Sequence, residues 1–315
     1  MHRGVREAEL VGAHSPTVHV VIPTLNRCAI VDACLASLED QAYGNVRVVV
    51  VDAGSTDSTL VAVRTGFPAA TLLTCGNDKW WAGATNVGVR DVMGVANPTD
   101  LVLTLNDDTL CPSDYIASLV LAHGGRRAIL GSVAIEAGTS TVLDAGVRVN
   151  WWTARFSRVC RGQTIDACAD ALSGLASVDL LSGRGTLIPV AAFSEIGPYD
   201  ESALPHYGAD YEFIARARRA GWRIQSCGQA RLQSYPRLTG IDPNIARVSL
   251  LAMMRSLVSR RSSNCLWYRW VFAVKACPRA QLLVFVPLDT LRVVAGMLRK
   301  QLKFRFDNRQ HPLGR

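Results

Sequence analysis

Leu101-Val-Leu-Thr-Leu-Asn106-Asp107-Asp108-Thr109 is an apolar, β-prone run that ends abruptly in an amide and two adjacent carboxylates. A buried strand brings rigid backbone to a sheet edge, and the residues just past its end become fixed and exposed. Neighbouring carboxylates repel each other unless a cation stands beside them. Hard oxygen donors at a strand end suit Mg²⁺ or Mn²⁺, ions that commonly carry phosphates. In isolation, a polar turn with Asp108 or Thr109 capping a helix before Pro112 explains the segment as well.

Outward from this stretch, VHVVIP over 18–23, the apolar run 46–51 and the short run 69–74 read as three further strands. Helical spacing lies between them. It places Ile30, Cys34, Leu35 and Leu38 on one face and resumes over 58–64 and 84–95. Alternating strand and helix predict an α/β fold with a mostly parallel sheet flanked by helices on both faces. Ligands bind such sheets at the carboxyl ends of the strands, so Asp52 and the 106–108 triplet are expected in one crevice. Past residue 130 the pattern turns shorter and more β-like. A helix is expected over 210–220, stopped by Gly221, and beyond 240 two or three Arg-rich helical segments follow.

With 315 residues the chain can hold one large or two modest domains. Its net charge of +8 is unevenly spread: residues 251–315 hold 13 Lys/Arg against 2 Asp/Glu, the rest 21 against 24. A near-neutral body with a basic tail points to an anionic surface met by the tail. The nine cysteines are odd in number, show no C-x-x-C spacing and often lie in apolar runs; a reducing cytosol fits them better than disulfides or zinc. The first fifteen residues lack the apolar core of a signal peptide, and no stretch holds about 18 uninterrupted apolar residues, so a membrane span is not expected. His2, His14 and His123 read as solvated. The absence of H-E-x-x-H, G-x-S-x-G and Walker motifs argues against hydrolase or NTPase chemistry.

Asp52-Ala-Gly-Ser-Thr-Asp57 is the second candidate site. A strand-end Asp can accept the N–H of a uracil or thymine ring, and Gly54 lets a flat group approach the backbone. The competing reading is an Asx-type turn, which is all that is expected of Asp57.

These pieces together resemble the family 2 glycosyltransferases of the GT-A (Rossmann-like) fold. The carrying motifs are VVIPTLNR at 20–27, VDAGSTD at 51–57, NDKWWAGATNVG at 77–88, LNDD at 105–108, LSGRGTL at 181–187, and IGPYD at 196–200 leading to HYGADYE at 206–212. Six in order span about residues 17–230. The resemblance implies inverting transfer from a nucleotide-diphospho-sugar, a dTDP- or UDP-sugar with dTDP-rhamnose a candidate, to a glycan or polyprenyl-linked acceptor. It implies that Pro23, Thr24, Asn26 and Asp52 border the nucleoside, with Asp107 near the ribose or sugar. Trp81 and Asn86 would face the sugar or pyrophosphate, and Gly183 and Arg184 the acceptor or diphosphate, with His206 and Glu212 flanking. Asp108 and Asn106 would hold Mg²⁺ or Mn²⁺, Asp108 directly, and Asp210 would be the general base. Three departures stand out. Asn106 replaces a carboxylate at the first metal position, Thr85 replaces an Arg, and Ala209 replaces the acidic residue before the base, which removes a like charge from Asp210.

The chain is therefore expected to have a 1–16 tail, a 17–240 catalytic domain and a basic 241–315 helical region. In the tail, Leu291, Val294, Ala295, Leu298 and Leu302 share one helical face, and Arg292, Arg299, Lys300 and Lys303 gather on another. Trp267, Tyr268 and Trp270 lie among basic residues, a mixture found at headgroup depth. The run 282–288 is too short to span and is interrupted by Pro287 and Asp289. Peripheral attachment to the cytoplasmic face of an anionic membrane is expected, and nucleic acid is not an expected partner; a helical layer packed on the catalytic domain is the alternative. A non-catalytic sugar-nucleotide-binding subunit is the rival from another class, and Asp108 and Asp210 together argue against it. A sugar-1-phosphate nucleotidyltransferase would need a Gly-rich loop where Pro23-Thr-Leu-Asn-Arg27 stands.

Overall fold

The computed structural model describes residues 15–235 and 250–310. Most of the expected N-terminal tail, His2, His14 and the 240/241 boundary lie outside them. The first half alternates as β1 (Val18–Thr24), α1 (Cys28–Glu39), β2 (Val46–Asp52), α2 (Thr59–Gly66), β3 (Thr71–Thr74), α3 (Trp80–Met93) and β4 (Leu101–Thr104). Then come β5 (Thr109–Leu110), α4 (Tyr115–His123), β6 (Ala128–Glu136), β7 (Val142–Asp144), β8 (Val147–Asn150), β9 (Arg155–Arg158), β10 (Leu175–Ser177), β11 (Thr186–Pro189) and α5 (Val190–Ile196). The chain continues as α6 (Ala209–Arg219), β12 (Arg223–Ser234), α7 (Leu250–Val258), α8 (Leu266–Ala276) and α9 (Arg279–Gln310).

One mixed sheet runs β10-β12-β6-β11-β4-β1-β2-β3. Its first half is parallel, with β1 between β2 and β4. These strands are buried on both faces: Val18, Val20 and Ile22 enter one core, and Val21 enters the other. That is why they read as unbroken apolar runs. Gly88 lets α3 press on the sheet, since a Cβ there would stand 2.6 Å from Val21 Cγ1. In the second half β11 runs antiparallel between β4 and β6, with Thr186 opposite Thr104. This register carries the 182–185 turn to the edge where β4 ends.

Several local expectations shift. On α1 Val31 joins Cys34, Leu35 and Leu38 in the core in place of Ile30, which is half-buried. Helix α3 begins four residues early, so Trp80 and Trp81 lie on its first turn. Thr109 enters β5 and the next helix starts at Tyr115, which removes the helix-cap reading of Asp108. His123 is buried rather than solvated, because it ends α4 on its core-facing stripe. All nine cysteines are free.

The C-terminal helices share the core of the domain. Cys265, Tyr268, Phe272 and Ala276 join the cluster that contains Phe213, and Lys275 bonds Asp200 at 2.7 Å. Helix α9 runs unbroken through Pro287. Pro287 and Leu283, whose carbonyl loses its helical donor, both face outward, so the missing bond leaves no buried orphan. Residues 279–299 are consequently one helix long and apolar enough to cross a membrane by length and composition, with 17% of its apolar window buried. Its packed seam is narrow. Phe285 and Asp289 face α8, and Arg269 grips Asp289 with bonds of 2.7 and 2.5 Å.

Candidate active site

The register Thr24↔Asp52 sets the ends of β1 and β2 level, and the chain leaving β4 passes beside them. A cavity of about 490 Å³ opens there. Pro23, Thr24, Arg27, Trp81, Asn106 and Asp107 line it on the sheet side, and Gly183, Arg184, His206 and Asp210 complete it. All six sequence motifs thus contribute to the wall of one crevice.

Its acidic centre is partly neutralised from the protein side, one guanidinium against two carboxylates. Thr24 Oγ1 donates to Asp107 Oδ2 at 2.9 Å, and Arg27 Nη1 lies 3.3 Å from Asp107 Oδ1 and 4.0 Å from Asp108 Oδ2. Burial raises the Asp107 carboxyl to about 6, and Arg27 and Thr24 oppose that rise. Asp108 is fully buried behind Asp107, which is the carboxylate on the cavity wall. Arg27 had no assigned role in the sequence, although it stands in the first motif; its sign opposite two carboxylates was the available signal.

Asp52 lies one residue behind the wall, where Ala53 is the lining residue. Its Oδ2 accepts Gly54 N at 3.2 Å and Ser55 N at 3.0 Å, while Oδ1 is buried without a hydrogen-bond partner. Asp57 makes the expected local turn, accepting Thr59 N at 2.9 Å. Asn26, expected at the nucleoside, instead takes a left-handed turn with φ 54° and accepts Thr56 N at 2.7 Å, tying the β1 and β2 loops together.

Two further residues are structural. Asn86 is buried and uses its whole amide on the 199–201 segment: Nδ2 donates to Tyr199 O and Glu201 Oε2, and Oδ1 accepts Tyr199 N. It does not reach the cavity. Glu212 holds Arg216 one helical turn on, at 3.0 Å, and also lies off the wall; the helical period turns it away from Asp210.

A chain of contacts links the acidic centre to Asp210. Trp81 Nε1 donates to Asn106 Oδ1 at 3.2 Å. The indole rests on Gly183, where a Cβ would stand 2.2 Å from the ring. Gly183 N donates to Asp210 Oδ2 at 3.1 Å, and Tyr211 N to Oδ1 at 2.8 Å. Burial raises Asp210 to about 6 despite those two donors. A group that titrates near neutrality and accepts bonds with both oxygens is a proton acceptor held in a fixed direction. Arg184 Nε and His206 Nδ1 are buried there without hydrogen-bond partners, and burial lowers the His206 pKa.

A second cavity, about 470 Å³, lies against α6 and the C-terminal helices. Ser182, Arg184, Tyr207 and Asp210 belong to both walls. Sequence reasoning missed most of this chamber. Tyr268 and Phe272 face it, whereas Trp267 and Trp270 on the same helix are exposed; the apolar stripe Cys265, Tyr268, Phe272 and Ala276 was the available signal.

Residues 19–169 match the family described as Glycosyl transferase family 2. This stretch is a family 2 glycosyltransferase domain. A PGL/p-HBAD biosynthesis glycosyltransferase of Mycobacterium bovis is 35% identical over 114 residues, which cover 35% of this chain and 43% of that protein. Succinoglycan biosynthesis protein ExoA of Rhizobium meliloti is 27% identical over 224 residues, 69% of this chain and 63% of the relative. The chain thus spans less than two thirds of either. Mannosyltransferase PcManGT from Pyrobaculum calidifontis, solved with GDP-Man and Mn²⁺, superposes with a TM-score of 0.56 at 15% identity, covering 98% of this chain and 81% of that one. The glycosyltransferase domain has the GT-A fold.

Proposed function

We propose that this chain is an inverting glycosyltransferase of bacterial surface-polysaccharide synthesis, moving a sugar from a nucleotide-diphospho-sugar to a glycan or lipid-linked acceptor at the cytoplasmic face of the membrane. One observation carries the reading: Asp210 belongs to the walls of two cavities, and one of them ends in Asp107 and Asn106. The donor lies in the cavity with the acidic centre. Asp210 takes the proton of an acceptor hydroxyl arriving from the other side. The hydroxyl oxygen bonds the anomeric carbon as the bond to the diphosphate breaks, and its electron pair leaves with the nucleoside diphosphate.

The donor set fits a divalent metal. Asn106, Asp107 and Asp108 are successive oxygen donors, two carboxylates with phosphate oxygens commonly hold Mg²⁺ or Mn²⁺, and Arg27 beside them marks the demand for positive charge. No larger His/Cys/Asp/Glu cluster is present among the described residues. The Asn106 amide oxygen expected to share the ion with Asp108 already accepts Trp81 Nε1. Asp107 on the cavity wall, backed by the buried Asp108, would therefore hold the ion, which would neutralise the diphosphate as it leaves. The unpartnered Asp52 Oδ1 favours a ring N–H donor, as in uracil or thymine. Rhamnose is one candidate sugar. Thermal shifts of the full chain with UDP, dTDP and GDP, each with and without Mn²⁺, test this. A Mn²⁺-enhanced shift with a pyrimidine nucleotide is expected; no shift with any of the three sinks the reading.

Membrane attachment rests on the outer faces of α8 and α9. Leu283, Leu291 and Val274 are 87%, 63% and 66% exposed, and Trp267 is 65% exposed. Arg269 and Asp289 tie α9 to the domain, which favours a helix lying along the bilayer surface with its apolar stripe in the interface.

A further inference from the structure

The second cavity is assembled from segments that no motif announces. Asp144 and Arg158 reach it from the 142–158 region, Tyr211 from α6, and Tyr268 and Phe272 from α8. Its size suits one or two rings, since ligand cavities run from about 300 Å³ upward. Its chemistry is more selective than its size. Asp144 uses Oδ1 to accept Gly146 N at 3.0 Å, and its carboxylate makes no other hydrogen bond among the described residues. Three carboxylates line this chamber: Asp289 is held by Arg269, while Asp144 and Asp210 have no ion-pair partner among the described residues and sense each other's charge. Arg158 and Arg184 stand in the same wall. An acceptor with a plain hydrocarbon or phenolic surface would desolvate Asp144, Asp210 and these two guanidinium groups without replacing their water. A ring carrying several hydroxyls donates to carboxylates, accepts from guanidinium groups and lays its C–H face on aromatic rings.

We infer that this cavity binds the acceptor as a sugar ring, and that Asp144 accepts a hydroxyl adjacent to the one whose proton Asp210 removes. The C-terminal helices thereby become part of acceptor selection, because Tyr268 and Phe272 form the platform. The inference also gives Asp144 a second effect. A like charge beside the base raises its proton affinity, so an acidic neighbour absent at Ala209 is supplied from another part of the chain. The inference rests on the glycosyltransferase reading.

Saturation-transfer NMR on the full chain tests it, with methyl glycosides of glucose, galactose, mannose and rhamnose as probes and UDP with Mn²⁺ as the donor-side ligand. At least one glycoside is expected to bind, and to bind still when UDP is present. Asp144→Asn should weaken it by about tenfold, some 1.4 kcal/mol, and leave the UDP signal unchanged. Binding of no glycoside, displacement by UDP, or equal binding to Asp144→Asn overturns the inference. If Asp144→Asn loses UDP as well, its fold has changed, and Tyr268→Leu decides on the same criteria. Failure of UDP, dTDP and GDP alike to bind the parent chain would instead break the glycosyltransferase reading, and where dTDP or GDP is the one that binds, it replaces UDP in this test.

Discussion

The cavity proposed for the donor and the cavity proposed for the acceptor differ in how their polar groups are held. On the donor side Thr24 and Arg27 are committed to Asp107, Trp81 to Asn106, and Gly183 to Asp210. On the acceptor side only Arg269 and Asp289 hold each other; Asp144 has one short-range turn contact, Arg158 is exposed, and the aromatic platform comes from α8, late in the chain. Groups bonded to one another keep a shape whatever is bound, while groups left to solvent are available for whichever ligand matches them. A transferase that keeps its leaving-group chemistry fixed and varies its acceptor would divide its site this way. Asp210 sits on the seam, so changing it should separate the two halves most sharply.

Asp210→Asn should lower transfer by about 10²–10⁴-fold, the usual loss with a general base. UDP should still bind with Mn²⁺, because the donor-side bonds do not depend on the charge of Asp210. Near-normal turnover by this variant would return Asp210 to the role of a helix-terminal charge. The pH profile follows from the same group. Its carboxyl is raised to about 6, so the rate should fall as pH drops through about 6. The sign for stability is opposite. An acid whose folded pKa lies above its unfolded value stabilises the fold at low pH, and that contribution is lost as pH rises through about 6. The loss begins near the unfolded value of 3.8 and is complete above about 6, so Asp210→Asn should melt higher than the parent at pH 8 and much closer to it at pH 4, as calorimetry at the two values would show.

Gly183→Ala tests whether the two halves are mechanically joined. The added Cβ would meet the Trp81 ring at 2.2 Å, and the ring is pinned through Asn106. Overpacking of this kind costs about 1–3 kcal/mol. The variant should melt lower, bind UDP more weakly and transfer more slowly. Unchanged UDP binding would show that Trp81 shapes only the acceptor side.

The donor half was legible because its strands are buried on both faces, so strand ends and their polar residues stand out against apolar runs. Asp52, Asp107 and Asp108 were found by that contrast. Within it, Asn86 and Glu212 were assigned by their place in a motif, and motif position does not tell whether an amide or carboxylate is spent on its own fold. Asn86 closes on Tyr199, 113 residues away, a pairing no local pattern encodes. The acceptor half was not legible for the same reason on a larger scale. Asp144, Tyr211, Tyr268 and Phe272 meet only after the sheet is complete and α8 has docked. Pro287 was read as an interruption of the helix, although a proline whose orphan carbonyl faces outward need not break one.

Mutation of the outer face of α9 should have the smallest effect on chemistry. Leu291 and Leu298 are 63% and 44% exposed and point away from the seam made by Phe285 and Asp289. Replacing both with Ser removes apolar surface without touching either cavity, so melting temperature and UDP binding should stay near the parent's. What should change is partition onto vesicles. A buried leucine side chain is worth about 1.5–3 kcal/mol, and each basic residue near an anionic leaflet adds about 1 kcal/mol. Flotation of the full chain should therefore be strong with anionic vesicles and weak with neutral ones, and fall by about tenfold or more in the double variant, a loss of at least 1.4 kcal/mol. If the double variant floats as the parent does, the stripe is not the membrane contact. If neither floats at low salt, the helices serve only as the wall of the acceptor cavity, and the lipid-linked acceptor would have to reach Asp210 by another route.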